Sequence, residues 1–529
     1  MILPQLSSVL VETGFFPDGT DMGRVALNSG IDLLPAMLDA WHSTTLEEHG
    51  RRRRTAVRTH AQLASLSASG SKLTMGVPGR TAVGCQKWLG ARLVWWPRGI
   101  PENNRTAFVS SRLGRRLDEK QTWFAFLRAV CSHTMANQSI LVSASSTTTG
   151  KFLMRAADLF SVPALIFHVS DRDDLVSWRR KTLSRPVVAH RGVVEAYVSP
   201  EIDIGPKYID EKVADIPARD RLVLAGSDRV FVAHLRPGGN LQRLVTARLS
   251  QGDWTPGSVM LAANHGAIPQ KDMYDLMQQG AVAWLVPDLA CQASSHNVWQ
   301  AAEQGCAQAP TVNLPKFAKL AEVGESRQYL THCTRRQNRN WPDEGEPSYI
   351  DALILGRNES RHSALAALLR IVRSKRLIAS TNLIRGETPV VSLTAAPPGQ
   401  IECMTKYQRH LARWDFEPYG ICIHKEWLDE RGARPVQYGD EALWTRLKRS
   451  SQPFFQLRGT RRDKSDILNG QWESEQEWRH VGDIDLSALP PAKALIFVPT
   501  TTEARMLHRV SRWPVVVASG YQVNRLLRR

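Results

Sequence analysis

Three short stretches carry hydroxyl, glycine and basic residues in the order an anion site needs: Ser110-Ser111-Arg112, Ser145-Ser146-Thr147-Thr148-Thr149-Gly150-Lys151 and Arg236-Pro237-Gly238-Gly239-Asn240. Each follows an apolar run and leads into a helix-length amphipathic segment. A strand that ends in such a turn offers the free amides of the next helix to a phosphate. Ser110, Arg112, Thr148, Thr149, Gly150, Gly238 and Gly239 are therefore the candidate binding residues for a nucleotide or another phosphate-bearing ligand. The second stretch departs from the G-x-x-x-x-G-K-S/T loop, because Ser145 stands at the first glycine and Phe152 follows Lys151, so the magnesium-binding hydroxyl is missing. Two readings remain, a plain anion site and an N-capped helix whose hydroxyls serve only its own first turn. Asp171, Asp173 and Asp174 follow another apolar run and read as a solvated turn or helix cap more readily than as a magnesium site. A second locus lies late in the chain, where alternation along a strand places Glu475 and Glu477 on one face. A solvated acidic edge accounts for such a pair.

The elements that must position these residues are legible from periodicity. From Thr106 onward, short β-branched runs alternate with amphipathic segments, a pattern of βαβ units and a mainly parallel sheet. The runs are 107–110, 140–143, 164–169, 194–198, 229–235, 258–262 and 281–286, with helices between them at 121–131, 151–160, 241–249 and 272–279. The expected fold class is α/β, a Rossmann-like sheet followed by a smaller α+β domain. Its expected divisions are an irregular N-terminal region (1–105), a nucleotide or phosphate-ligand domain (106–314), a linker (315–347) and a C-terminal domain (348–529). In the last, a helix over 363–374 precedes strands near Val390, Ile421, Val436, Phe454, Trp478 and Leu495.

A chain of 529 residues exceeds one ordinary core, and its 22% charged content is that of a globular protein. Neither a secretory leader nor an uninterrupted apolar span is present, so a cytoplasmic location with no membrane partner is expected. Seven scattered cysteines without a CxxC pair point to reduced, structural thiols and to no metal. The net charge of +17 suits a polyanionic partner, nucleic acid before others, with a basic surface kept for solubility as the alternative, and local clusters occur at Arg51 to Arg54, Arg112 to Arg116 and Arg458 to Lys464.

Taken together, the strand-SSR, strand-SSTTTG and strand-RPGGN turns resemble the Rossmann-like domain of the DprA and LOG proteins, the SLOG group, over Arg105 to Asp288. The resemblance implies binding of a nucleotide-like small molecule or of single-stranded DNA. Asn240-Leu241-Gln242 stands where the LOG pattern continues as PGG-x-GT, which separates this chain from LOG-type hydrolysis. From Arg361-His362 through the Val390 strand to Glu475-Gln476-Glu477-Trp478-Arg479, the layout resembles AbiGi-type abortive-infection proteins and, distantly, DarT-like ADP-ribosyltransferases. That resemblance implies NAD as cofactor, His362 at the dinucleotide, Ser392 and Thr394 lining the nicotinamide pocket, Glu477 as catalytic carboxylate and Glu475 beside it. The function so implied is a prokaryotic antiviral-defence protein in which nucleotide or DNA binding controls a transferase-like domain. The alternative is a non-catalytic nucleic-acid- or partner-binding subunit of a defence complex.

Overall fold

The computed structural model describes residues 3–21, 30–147, 149–184, 192–203, 209–263, 268–286, 328–381, 384–396, 407–408, 413–414, 416–457 and 476–517. The chain forms two compact units: Met1–Gly114, Lys120–Ser294 and Leu353–Arg357 make the first, and Arg115–Glu119, Ser295–Ala352 and Asn358–Arg529 the second.

Among the described residues the first unit is built on nine strands: β1 (Lys72–Met75), β2 (Leu93–Trp96), β3 (Arg105–Ser110), β4 (Ile140–Ala144), β5 (Ala164–Val169), β6 (Val193–Val198), β7 (Arg229–His234), β8 (Val259–Ala262) and β9 (Val282–Trp284). They lie in the order β1-β2-β6-β5-β4-β3-β7-β8-β9. From β6 to β9 every neighbouring pair is parallel, and β1 and β2 join antiparallel at one end. Its helices in chain order are α1 (Leu3–Glu12), α2 (Leu34–Glu47), α3 (Gly50–Ala68), α4 (Ala82–Leu89), α5 (Gln121–Ala136), α6 (Gly150–Phe160), α7 (Leu175–Leu183), α8 (Ala218–Ala225), α9 (Asn240–Ser250) and α10 (Gln270–Gln278). A parallel sheet needs cover on both faces, and its inner strands are apolar throughout for that reason: all five residues of β4 are buried.

The region over 1–105, expected to be irregular, instead supplies four helices and two strands of this sheet. Its key segment is the run Leu93-Val94-Trp95-Trp96, buried at every position. Val94 and Trp96 enter the main core, while Leu93 and Trp95 enter a second core formed with α1, α2, α3 and α7. A strand buried on both faces shows no alternation of polar and apolar residues, so its period leaves no mark in the sequence.

The second unit holds a seven-stranded sheet of β10 (Tyr329–Cys333), β11 (Val390–Thr394), β12 (Gly420–His424), β13 (Arg434–Pro435), β14 (Glu477–Val481), β15 (Ala494–Val498) and β16 (Val515–Val517). The order is β13-β14-β11-β10-β12-β15-β16. Neighbours are antiparallel except β15 and β16. Helix α11 (Glu346–Leu355) and helix α12 (Ala364–Ser374) follow β10, and Leu365, Leu368 and Val372 of α12 pack into the sheet's core. The expected linker over 315–347 is corrected here: residues 315–327 lie outside the described residues, and β10 occupies the middle of the sheet. Its apolar content is one buried leucine between polar residues, Tyr-Leu-Thr-His-Cys, too little to announce a central strand.

Candidate functional site

Strands β4, β3 and β7 are parallel neighbours, so the three turns that follow them emerge on one rim of the sheet. After β3 the chain builds outward through β4 to β6, then returns to lay β7 on the other side of β3. The crevice at the carboxyl ends of β3 and β7 is thus the topological switch point, where open α/β sheets take their ligands. The pairing shifts register there, with Val109 opposite Val232 but Ser110 opposite His234, so β7 carries one extra residue at the rim.

The β3 and β7 turns are stitched into one corner. Ser111 N donates to His234 O at 2.9 Å, and Arg236 N donates to Ser111 Oγ at 3.0 Å. Ser110 Oγ accepts from Trp123 Nε1 at 3.0 Å and donates to Ser111 O at 2.8 Å, so its hydroxyl is turned inward. Arg112 and Arg236 are exposed, and neither forms an ion pair among the described residues. In the double-glycine turn, Gly238 has φ +69°, a conformation open to glycine at little cost. Gly238 N donates to Gln242 Oε1 at 2.6 Å while Gln242 Nε2 donates to Asp272 Oδ1 at 3.0 Å, so Gln242 anchors the turn to α10. Gly239 caps α9 from an extended backbone with no side-chain acceptor, leaving the first-turn amides without an intrahelical partner.

The β4 corner is tighter. Thr147 Oγ1 donates to Ala144 O at 2.9 Å, and Gly150 N donates to Thr147 O at 3.2 Å. A Cβ on Gly150 would lie 2.9 Å from Thr147 Oγ1, so glycine is required where helix and turn meet. Thr149, buried, begins α6 without a side-chain cap, and Thr148 lies outside the described residues. Helix α5 likewise starts at Lys120 with no side-chain cap. Three adjacent helix N-termini are therefore uncapped, and Lys120, Arg112 and Arg236 supply positive charge beside them.

The next corner along the rim is the opposite in character. After β5, Asp174 accepts from Ser177 N at 2.8 Å and caps α7, Asp173 pairs with Lys181 at 2.6 Å, and Asp171 pairs with Arg92 at 3.0 Å. These carboxylates are spent on the protein itself, which settles their use as a cap and ion pairs. Among the described residues no cluster of metal-ligating side chains occurs. His234 sits between the two corners, its pKa lowered by burial first and then by Lys120 and Arg236. It was not anticipated from sequence, where it reads only as one residue of the 229–235 run.

In the second unit Ser392, Thr394 and Glu477 come together across β11 and β14, with Thr394 directly opposite Glu477 and Ser392 opposite Arg479. Thr394 Oγ1 accepts from Ala396 N at 3.0 Å, and Ser392 O is bonded to His332 Nδ1 at 2.9 Å. Glu477 is held by Arg479 at both oxygens, at 2.9 and 3.0 Å, and Glu475 lies outside the described residues. His362 does not join them. It is fully buried between the rings of Trp341 and Tyr349, with Nδ1 at 2.6 Å from Arg339 O and Nε2 at 3.5 Å from Glu344.

Burial is the first cause that lowers the His362 pKa, with Arg370 acting the same way and the Arg339 and Glu359 backbone and Asp118 acting against it. The folded chain thus disfavours a proton that the unfolded chain takes up below the ordinary value of 6.5. Stability from this site is complete above that value and falls as pH drops through it. Melting temperature followed from neutral to mildly acid pH is expected to fall less steeply in His362→Gln than in the wild type; equal slopes would remove His362 as the cause.

The seven parallel strands with helices on both faces, extended at one end by an antiparallel pair, define a Rossmann-like α/β unit. No family model matches the chain, and no curated protein matches it. Two solved structures are similar: DNA processing protein A from Streptococcus pneumoniae, at 13% identity over 50% of this chain and 88% of that one with a TM-score of 0.26, and the molybdenum cofactor carrier protein from Chlamydomonas reinhardtii, at 10% identity over 39% and 100% with a TM-score of 0.21. Likenesses this remote assign neither ligand nor activity to this chain.

Among the described residues no helix is long and apolar enough to cross a membrane. The four described cysteines, Cys85, Cys131, Cys333 and Cys422, are free thiols. Burial pushes the pKa of Cys85 and Cys422 up to about 11 and that of Cys131 to about 12, so none of these three is a ready nucleophile.

Proposed function

We propose that the carboxyl rim of the first unit binds a phosphate-bearing ligand of the nucleotide or nucleic-acid class, as the binding half of a protein whose second unit serves as a scaffold. The observation that carries this reading is the switch point itself: uncapped helix N-termini and unpaired arginines gather at the crevice between β3 and β7. An anion there meets amides that no side chain of the protein caps, together with two cations that need no ion pair broken to receive it. Ser110 and Ser111 shape the corner from within, whereas Arg112, Arg236 and the amides after Gly239 meet the ligand. The overall charge of +17 raises the local concentration of any such polyanion.

The test is binding of a labelled single-stranded DNA and of labelled nucleotides to the wild type and to the double variant Arg112→Gln, Arg236→Gln, across a salt series. The variant is expected to bind about tenfold more weakly and to shallow the salt dependence by roughly 1.4, two contacts at about 0.7 each. Wild-type affinity and slope in the variant, for every ligand tried, would exclude the rim.

A further inference from the structure

Helix α3 carries the densest positive charge among the described residues, and most of it has no ion-pair partner among them. Arg51, Arg52, Arg53, Arg54 and Arg58 are all exposed. Arg52 pairs with Glu48 at 3.7 Å; Arg51, Arg53, Arg54 and Arg58 form no ion pair among the described residues. The buried side of the helix is set by Ala56 and Leu63, seven residues apart. At 100° per residue, Arg51, Arg54 and Arg58 fall on the opposite side, in one row spaced i, i+3, i+7. That row is about 10 Å long at 1.5 Å per residue.

Its electrostatics are unfavourable in the free protein. Arg51, Arg52 and Arg53 occupy the first turn of α3, where the helix dipole is positive and no acidic residue stands, and Arg54 follows directly. Like charges crowd each other at the end of a helix that repels them. A partner bearing regularly spaced negative charge relieves both terms at once. The apolar side of α3 is already committed to the core with Leu73, Leu93 and Trp95, so the helix has no greasy face with which to enter a lipid layer. Fixed phosphates on a stiff polymer match the row better than a membrane does.

We infer that the Arg51, Arg54 and Arg58 face of α3 is a second nucleic-acid contact, one that grips the phosphate backbone of a duplex without reading its sequence. It stands apart from the rim. Helix α3 packs against α2 and shares a core with β1 and β2, and β2 is four strand spacings from β3, about 19 Å at 4.8 Å each. A mononucleotide bound at the switch point cannot reach it, whereas a polymer can lie on it whether or not the rim is filled.

The experiment titrates a random-sequence DNA duplex into the full chain across a salt series. The chains compared are the wild type, the triple variant Arg51→Gln, Arg54→Gln, Arg58→Gln, the corresponding triple lysine variant, and the rim variant Arg112→Gln, Arg236→Gln. The glutamine triple is expected to shallow the log–log salt slope by about 2 to 3 and to weaken low-salt binding at least about tenfold. Its melting temperature should be unchanged or higher, because the crowded charge is gone. The lysine triple, with charge kept, should stay close to wild type. Wild-type slope and affinity in the glutamine triple overturn the inference, and so does an equal loss in the lysine triple. Loss of binding only to vesicles containing phosphatidylserine, with DNA binding intact, overturns it in favour of a membrane. Because the rim variant is read beside them, failure of the helix footprint and failure of the rim are told apart.

Discussion

Glu477→Gln is expected to destabilise the second unit by about 2–4 kcal/mol, read as a lowered urea midpoint by tryptophan fluorescence. The reason is Arg479, only 1% exposed, whose charge is compensated by Glu477, itself 15% exposed, through two parallel hydrogen bonds. The same guanidinium donates to Pro453 O at 3.0 Å, Phe455 O at 2.7 Å and Gln456 Oε1 at 2.6 Å. It thereby ties β14 to the short 3₁₀ turn and strand that follow residue 451. Removing one member of a buried pair leaves the other uncompensated, which costs more than removing both. Arg479→Met should therefore lose about as much as Glu477→Gln, and the double variant less than the sum. An ADP-ribosyl-transferring carboxylate would behave otherwise: Glu477→Gln would keep wild-type stability and abolish NAD turnover. That pattern would return Glu477 to the catalytic role its resemblance implied.

Arg248→Met is expected to cost the first unit about 3 kcal/mol or more, from the carbonyls it strands. Arg248 is 2% exposed and faces no carboxylate within ion-pair distance among the described residues. It ends α8 instead. Its guanidinium donates to Leu224 O, to Ser227 O at 2.9 Å, to Asp228 O at 3.2 Å and to Ser258 Oγ at 3.2 Å, and lies 4.9 Å over the Trp254 ring. Trp254 Nε1 donates to Ala225 O at 3.0 Å. The negative end of the α8 dipole and the indole face thus do for Arg248 what an acid does elsewhere. Burial still pulls its pKa down to about 9. Trp254 is seated so closely on α4 that a Cβ on Gly84 would lie 2.3 Å from the ring. A circular-dichroism melt of Arg248→Met within a degree of wild type would show that this cap is dispensable.

The parallel strands were legible in the sequence almost to the residue; of their helices α6, α9 and α10 fall within two residues of expectation, whereas α5 runs five residues past its expected end and α7 and α8 were not anticipated. Ala164–Val169 matches its expectation, and β3, β4, β6, β7 and β8 differ from theirs by one or two residues at an end. These are strong signals: β-branched runs bounded by small-residue turns and followed by amphipathic helices. The shared rim was legible too, since parallel order puts all βα turns on one edge. What escaped were features made by distant residues. Arg248 lies on a helix that reads only as one of the amphipathic segments, and its role exists only because α8 ends against it. His362 and Glu477 look alike in sequence as titratable groups near strands, yet the fold closes Trp341 and Tyr349 over one and gives Arg479 to the other. The use of Gln242 to anchor the double-glycine turn needed Asp272, thirty residues on, to be seen beside it.

The place of β2 in the sheet has a consequence for biosynthesis. Leu93–Trp96 is among the most oily stretches of the first unit, and beyond β1 its remaining edge pairs only with β6, where Val94 meets Val198. On a ribosome the intervening hundred or so residues take on the order of 10 s to appear. Through that interval two tryptophans and an open hydrogen-bonding edge stand bare on the nascent chain, a natural landing place for a holdase chaperone and the point at which a stalled or truncated product would clump.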